Sequence, residues 1–391
     1  MTRYNTPAKG TLDWHVPLNE NFKQLGTDIE IRDVESNRDQ YESTDGAKFL
    51  ATDTGAVYIG DGSQWNYLGD VAPEQSGGEG DGGNLAQPGE VQTAIDNAAD
   101  TGGNGGRVKL DPTQVYPQPS SPWVVKSGVE LDFNGAWVYG SGDRNNTDII
   151  HLAPGGRLLE PRVNLHNGGN GYDGSNTYNG AVFHLNTQYG SYFSHGTAIR
   201  GGHIFAVGGG GTACKLTVAE PGTWITHLNL QYNIGNPHGM NTGDSIGNGV
   251  FLDTTGGGDD GWINGVTVSG HWRYPGAGIL QDGVVGKYNQ QTRNTFNVQI
   301  QPAENGEGAW VIRDPTWAER NILYGLVWDF HTVDGPIWKI DSAYQDDQDP
   351  WRACQHNAIH SLNDLQPEHV RNNSPNSHYI GRPEKFSVKT V

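Results

Sequence analysis

The sequence predicts an all-β solenoid, and three observations carry that prediction. Glycine supplies 57 of 391 residues with no Gly-X-Y period, so collagen is excluded and a chain that turns often is implied. Apolar residues make up only 34%, yet 12 Trp, 16 Tyr and 10 Phe are among the aromatics, rings large enough for short strands to bury a core. Most tellingly, one frame recurs: "GAVFHLN" from Gly180, "GTACKLT" from Gly211, "GNGVFLD" from Gly247, "GAGILQD" from Gly276, "GAWVIRD" from Gly308 and "GPIWKID" from Gly335. Successive starts lie 31, 36, 29, 32 and 27 residues apart. A unit of that size cannot bury its own apolar face, so the units must stack.

Between these segments runs a second strand, clearest in "INGVTVSG", "RNTFNVQIQ", "RNILYGLVW" and "HNAIHSLND". Asn264, Asn294, Asn321 and Asn357 recur there and are expected to bond the backbone at a corner. Asp253, Asp282, Asp314 and Asp341 close the first frame and are expected to form a column of turn-starting residues.

Other elements follow in chain order. Leu18, Phe22, Leu25 and Ile29 step by 4, 3 and 4 within residues 13–33, the seam of a short amphipathic helix that must pack on its own domain or on copies of itself. "GAKFLATDTGAVYIGDGSQWNYLG" reads as a three-strand antiparallel meander. Residues 71–88, "VAPEQSGGEGDGGNLAQP", are acidic and Gly-rich, a flexible linker. Then Pro88, followed by Val91, Ala94, Ile95 and Ala98 on one face and a Gly-rich stop, marks a helix. The segments "GRVKLDPTQVY", "WVVKSGVELDFNGAWVYG" and "DIIHLAPGGRLLEPRVNLH" alternate as strands. The domain reading is 1–70 docking region, 71–88 linker, 89–370 solenoid and 371–391 tail.

The net charge is −19, from 44 acidic and 25 basic residues. A phosphate-binding face needs a basic patch, so nucleic acid is not an expected partner. Acid spread along the whole chain suits solubility in high salt, where screening removes self-repulsion, and predicts a halophilic source. The two cysteines, Cys214 and Cys354, read as buried free thiols rather than a disulfide framework. "MTRYNTPAKGTLDWHV" contains no apolar signal-like segment and no run has membrane-span length, so the expectation is a protein made in a cytoplasm with no membrane insertion.

The run "VQTAIDNAADTGGNGGRVKLDPTQVY…VVKSGVELDFNGAWV" resembles the start of the right-handed parallel β-helix of the pectate-lyase-like superfamily, over roughly residues 88–370. The resemblance implies a right-handed single-stranded parallel β-helix whose N-terminal helix caps the first coil. It does not select a function, because that superfamily includes lyases, hydrolases, adhesins and phage tailspikes. "LDWHVPLNENFKQL" and "GAVYIGDGSQW" look like the leader segments of haloarchaeal virus fibre and spike proteins. That likeness implies a docking region on a virion, a projecting homotrimer, other virion proteins as partners, and attachment to a host surface glycoprotein or glycan.

The alternative is an enzyme. Sugar-hydrolysing β-helices carry Asn-Thr-Asp, Asp-Asp, Gly-His-Gly and Arg-x-Lys on consecutive coils. This chain has "GGGDDG" with Asp259 and Asp260, "NTD" at Asn146 to Asp148 several coils earlier, and "SHG" and "PHG" before the pair. "SGHWRY" adds Arg273, Asp282 follows, and no Arg-x-Lys comes after. The set is incomplete and out of order, so no catalytic residue is assigned; Asp259, Asp260, Arg273 and Asp282 are the candidates for a hydrolase or lyase. No cofactor is expected apart from calcium or other cations on Asp-rich turns, where Asp253, Asp259 and Asp260 are the metal candidates. No Cys/His set has zinc spacing. Rings beside Gly, Asn and Ser suit glycan contact: Trp272, Tyr274, Tyr172, Tyr178, Tyr189, Tyr192 and Trp317.

Overall fold

The computed structural model describes residues 30–51, 56–70, 85–100, 106–140, 146–165, 178–205, 210–235, 246–303, 306–327, 338–342, 354–361, 370–372 and 377–380. The chain divides into two units, 1–84 and 85–391.

In the first unit, the strands Lys48–Ala51, Ala56–Gly60 and Trp65–Asp70 pair antiparallel, as their alternation predicts. Phe49 is their anchor, fully buried, with its ring against Tyr58 and Trp65. The seam of the expected short helix, Leu18, Phe22, Leu25 and Ile29, lies outside the described residues. Glu30–Asp33 is a strand, parallel to Lys48–Ala51.

The turn after Ala56–Gly60 is tied by Asp61. Its carboxylate accepts from Asn66 Nδ2 (2.7 Å), from the Gln64 and Ser63 amides (2.8 and 2.9 Å) and from Ser63 Oγ. These bonds, Asn66 first, hold its pKa well below the usual carboxylate range. A depressed folded pKa gives stability that is present above the unfolded value of about 3.9 and lost as pH falls through the folded one. Asp61→Ala should therefore speed hydrogen exchange at the Ser63 and Gln64 amides at neutral pH, with the difference from wild type fading in strong acid.

The second unit is built almost wholly of parallel strands, in sheets of nine, thirteen and five. The chain visits them in turn: Ile246–Asp253 in the nine-stranded sheet, Asp260–Asn264 in the five-stranded, Thr267–Arg273 in the thirteen-stranded. It then returns to the first sheet with Pro275–Asp282, paired to Ile246–Asp253. At about 4.8 Å between strands, nine strands span roughly 40 Å. Strand Val370–Asn372, which straddles the expected solenoid boundary, and His378–Ile380, within the stretch 371–391 read as a tail, still belong to these sheets.

The helix forms where its apolar face predicted, at Val91–Asp100. Val91 and Ile95 are fully buried, and the helix packs on Arg107–Lys109 and Trp123–Val125, which end two of the sheets. Gln92 treats the second of these as a partner strand would. Its Oε1 accepts from the Val124 amide (2.7 Å) and its Nε2 donates to the Val124 carbonyl (3.3 Å), satisfying backbone groups that a sheet end leaves open.

The asparagine ladder exists, one rung shorter than expected. Val266 N–H donates to Asn294 Oδ1 (3.0 Å), Asn294 N–H to Asn321 Oδ1 (3.0 Å), and Asn321 N–H to Asn357 Oδ1 (3.1 Å). All three side chains are fully buried. Asn264 is not a rung: the register places Val266 in that row, two residues on. Before each rung sits a residue with positive φ: Gly265 (66°), Arg293 (56°), Arg320 (55°) and His356 (56°). That left-handed turn swings the chain into the next strand, and the Asn side chain satisfies the amide the turn strands.

The aspartate column needs a correction of the same kind. Asp253 and Asp282 are neighbours in register, but Gln281 pairs with Ile312, so Arg313 follows Asp282 and Asp314 falls outside. The frame slips by one at Gly308, which lies opposite Ala277 rather than Gly276. One residue of slip exchanges the two faces of a strand: Trp310 points inward and stacks on Trp338 (6.1 Å between centroids). The column therefore runs Asp253, Asp282, Arg313 and Asp341, and each of its aspartates has a basic partner. Lys215 pairs with Asp253 (3.1 Å), Arg313 with Asp282 (3.5 Å) and Arg371 with Asp341 (2.6 Å). Both cysteines are buried and free, and burial pushes the Cys214 thiol far up.

Candidate functional site

The five-stranded sheet presents a strip of rings. Its strands are Tyr192–Phe193, Thr223–Thr226, Asp260–Asn264, Tyr288–Thr292 and Ala318–Glu319. Side chains alternate across a strand, and Phe193, Ile225 and Ile263 face the core with no exposure. Their predecessors Tyr192, Trp224 and Trp262 therefore share the outer face, in direct register. Tyr192 and Trp224 meet edge to face at 6.0 Å, Trp224 and Trp262 tilted at 5.8 Å. Tyr192 is 50% exposed and Trp224 36%.

Polar groups flank the strip. Gln290 follows Trp262 in register. Asp260 and Asn264 lie two residues either side of Trp262 on the same face, about 7 Å away along the strand. The indole N–H of Trp262 is itself buried, without a hydrogen-bond partner among the described residues, so the flanking polar groups are Gln290, Asp260 and Asn264. Ring faces with hydrogen-bonding groups at their edges can pack the C–H faces of sugars while meeting their hydroxyls.

The residues expected to contact a receptor divide sharply. Tyr192 belongs to the strip. Tyr189 is half-buried over the His151 ring (4.7 Å) and Tyr274 is half-buried, its hydroxyl 3.1 Å from Gln301 Nε2. Three others are corrected: Trp272 is fully buried, Tyr178 is 1% exposed and Trp317 7%. Trp272 points into the core because it shares an inward row with Ile234 and Ile300, where its ring stacks on Tyr232 at 5.4 Å. Tyr172 lies outside the described residues.

The catalytic candidates are not brought together. Arg273 ends Thr267–Arg273, whereas Asp282 ends Pro275–Asp282, a separation on the order of 20 Å at about 3.3 Å per residue. Asp282 answers to Arg313 instead, and burial raises its pKa against that pull. Asp259 is exposed on the turn while Asp260 opens a strand. Their carbonyls bond opposite neighbours, Asp259 to the Tyr288 amide and Asp260 to the Gly222 amide. Of the metal candidates, Asp253 is engaged by Lys215 and by the Thr255 amide and hydroxyl.

The glycines before Asp259 are not slack. A Cβ on Gly256 would come within 2.8 Å of the Ala219 and Val218 carbonyl oxygens, and Gly258 has φ +51°. Asn289 Nδ2 donates to the Thr254 and Gly258 carbonyls (2.7 and 3.0 Å). The run is a tight turn between stacked strands.

No family model and no curated protein matches this chain. Among solved structures, ORF18 of Geobacillus virus E2 aligns with 90% of this chain and 72% of its own, at 11% identity and a TM-score of 0.29. A likeness at that level carries nothing about function.

Two constellations escaped the sequence reading. Trp224 and Trp262 stand three residues before the corner residues His227 and Gly265, both with positive φ. Trp317 stands at the same offset from Arg320, and Tyr192 from His195, so counting back from the corner would have found the row. On the outer face of the thirteen-stranded sheet, Trp137, Arg162, His203 and Phe205 line a groove of about 350 Å³ with Glu160 and Gly201. Trp137 stacks on Phe205 at 5.2 Å, and Arg162 lies 5.8 Å from the Trp137 ring. Burial, with the Arg162 charge, lowers the His203 pKa and favours its neutral form.

Proposed function

We propose that the chain is an attachment protein whose solenoid binds surface glycans along the Tyr192–Trp224–Trp262 strip. The observation that supports this reading is the strip itself: three rings in register on one outer face, with Tyr192 half open to solvent and Trp224 about a third. Binding is favoured over cleavage because, among the described residues, the outer-face strand carboxylates Asp260 and Glu319 stand two strands apart, with Glu319 paired to Arg320, rather than as a pair facing each other across a bond. The acidic surface suits a virion protein working in high salt, and the leader likeness suits a haloarchaeal virus fibre or spike. On this reading the solenoid is a right-handed single-stranded β-helix capped by Val91–Asp100. The region before residue 71 docks on other virion proteins, and the chain is a homotrimer exposed on the particle. The second reading is a depolymerase acting where Asp259 and Asp260 adjoin the strip.

The test is binding of the full-length protein to neutral oligosaccharides released from host surfaces, by calorimetry in high salt. Trp224→Ala should weaken binding at least tenfold while leaving the unfolding midpoint close to wild type. Unchanged binding would remove the strip from the proposal. New reducing ends or unsaturated products would move the assignment to the depolymerase. A monomer mass by light scattering would end the trimeric fibre.

A further inference from the structure

Asp148, His151 and His184 converge on the outer side of the nine-stranded sheet. His151 and His184 are register partners on the adjacent strands Ile150–Leu152 and Ala181–Asn186, and their rings meet edge to face at 5.2 Å. Asp148 is held from behind: its Oδ1 accepts the Ala181 amide at 2.6 Å. Its Oδ2 therefore faces both imidazoles, 2.8 Å from His151 Nε2 and 2.6 Å from His184 Nδ1. One donor atom from each residue lies within 4.8 Å of the others. Both histidines are more than nine-tenths buried.

We propose that this triad is a divalent transition-metal site, of the zinc class, which clamps two successive coils. Two nitrogens and one carboxylate oxygen suit zinc, whereas calcium and magnesium take oxygen ligands. Three protein ligands leave a position for water or an incoming group. A tetrahedral ion with bonds of about 2.0–2.1 Å sets its ligand atoms about 3.3 Å apart. The two distances from Asp148 Oδ2 to the ring nitrogens thus need to open by about half an ångström, and the nitrogens themselves lie within 4.8 Å of each other.

The surroundings suit a cation. The Asp148 carboxylate is fixed by the Ala181 amide on Oδ1, which leaves Oδ2 toward the two imidazoles. His184 Nδ1 faces Asp148 Oδ2 at 2.6 Å, so in the metal-free site that nitrogen carries the proton it donates to the carboxylate. Thr217 Oγ1 lies 2.9 Å from His184 Nε2. A hydroxyl donates or accepts, so when the metal takes Nδ1 the ring proton moves to Nε2 and is received there. Such partners orient ligating histidines. His151 Nδ1 has no partner among the described residues in either tautomer. The site owes nothing to the glycan reading.

The test uses tag-free full-length protein stripped with chelator and titrated with Co²⁺, then Zn²⁺. Expected are a visible Co²⁺ absorption band saturating at one ion per chain, its loss on adding Zn²⁺, and a melting temperature raised by several degrees. Asp148→Asn and His151→Gln, each with a wild-type circular dichroism spectrum, should abolish the band. The wild-type titration decides the matter should either variant fail to fold. The proposal is overturned if folded wild-type protein shows no stoichiometric uptake and no melting shift, or if both folded variants keep the band.

Discussion

Asn321→Ala is expected to destabilise the solenoid by about 3–5 kcal/mol, against total stabilities of about 5–15 kcal/mol for folded domains. Asn321 Oδ1 accepts from both the amide and Nδ2 of Asn294, at 3.0 Å each. Its own Nδ2 donates to the Gln291 carbonyl (2.9 Å) and to Asn357 Oδ1 (3.0 Å). Alanine strands the buried Asn294 amide and removes one bond each from Asn294 Nδ2, Asn357 Oδ1 and the Gln291 carbonyl, and stranding a buried polar group costs more than a satisfied bond contributes. The loss should appear as a lower urea midpoint and faster exchange of the Asn294 amide. Asn264→Ala is the control. That residue stands outside the ladder, half-exposed, and its loss should cost under about 0.5 kcal/mol. Equal effects at the two positions would refute the register described above.

Trp272→Ala should also cost about 3–5 kcal/mol, through the cavity left by a buried ring. The ring packs face to face with Tyr232, and its N–H donates to the Tyr232 carbonyl at 3.2 Å. A Cβ on Gly249 would stand 2.6 Å from it, so the space is filled from three sides. The outcome to look for is a large fall in unfolding midpoint with Trp272→Ala and little change with Trp224→Ala, measured side by side. If Trp272 were the surface platform that its "SGHWRYPG" context suggests, the ranking would reverse.

The paired expectations show where sequence reading works in this chain. The repeat, the meander, the helix at Val91–Asp100 and the corner role of asparagine were legible because each rests on local chemistry: alternation, turn residues, caps. Frame errors arose where two neighbouring residues fitted the same local rule. Gly308 resembles the repeat glycine, yet Glu307 occupies the position. Asn264 resembles a ladder asparagine, yet Val266 stands in its row. Nothing within a strand separates such alternatives, since each satisfies the same period of two until a neighbour sets the register.

The candidate sites show the same division more strongly. Tyr192 could be chosen from its neighbours, but Trp224 and Trp262 join it only because coils stack in register. Asp148, His151 and His184 sit in two segments that share no motif, 36 residues from first to last, and meet because Ile150 pairs with Phe183.

By itself, then, the sequence determined an acidic, glycine-turned, aromatic-rich stack of strands with a helix at its start. Only the tertiary structure decided which rings face water, which aspartates have basic partners, and that two histidines converge on one carboxylate. The reason is physical. Turning and alternation are fixed by each residue's own backbone and side chain, whereas burial and partnership belong to the coil above and the coil below.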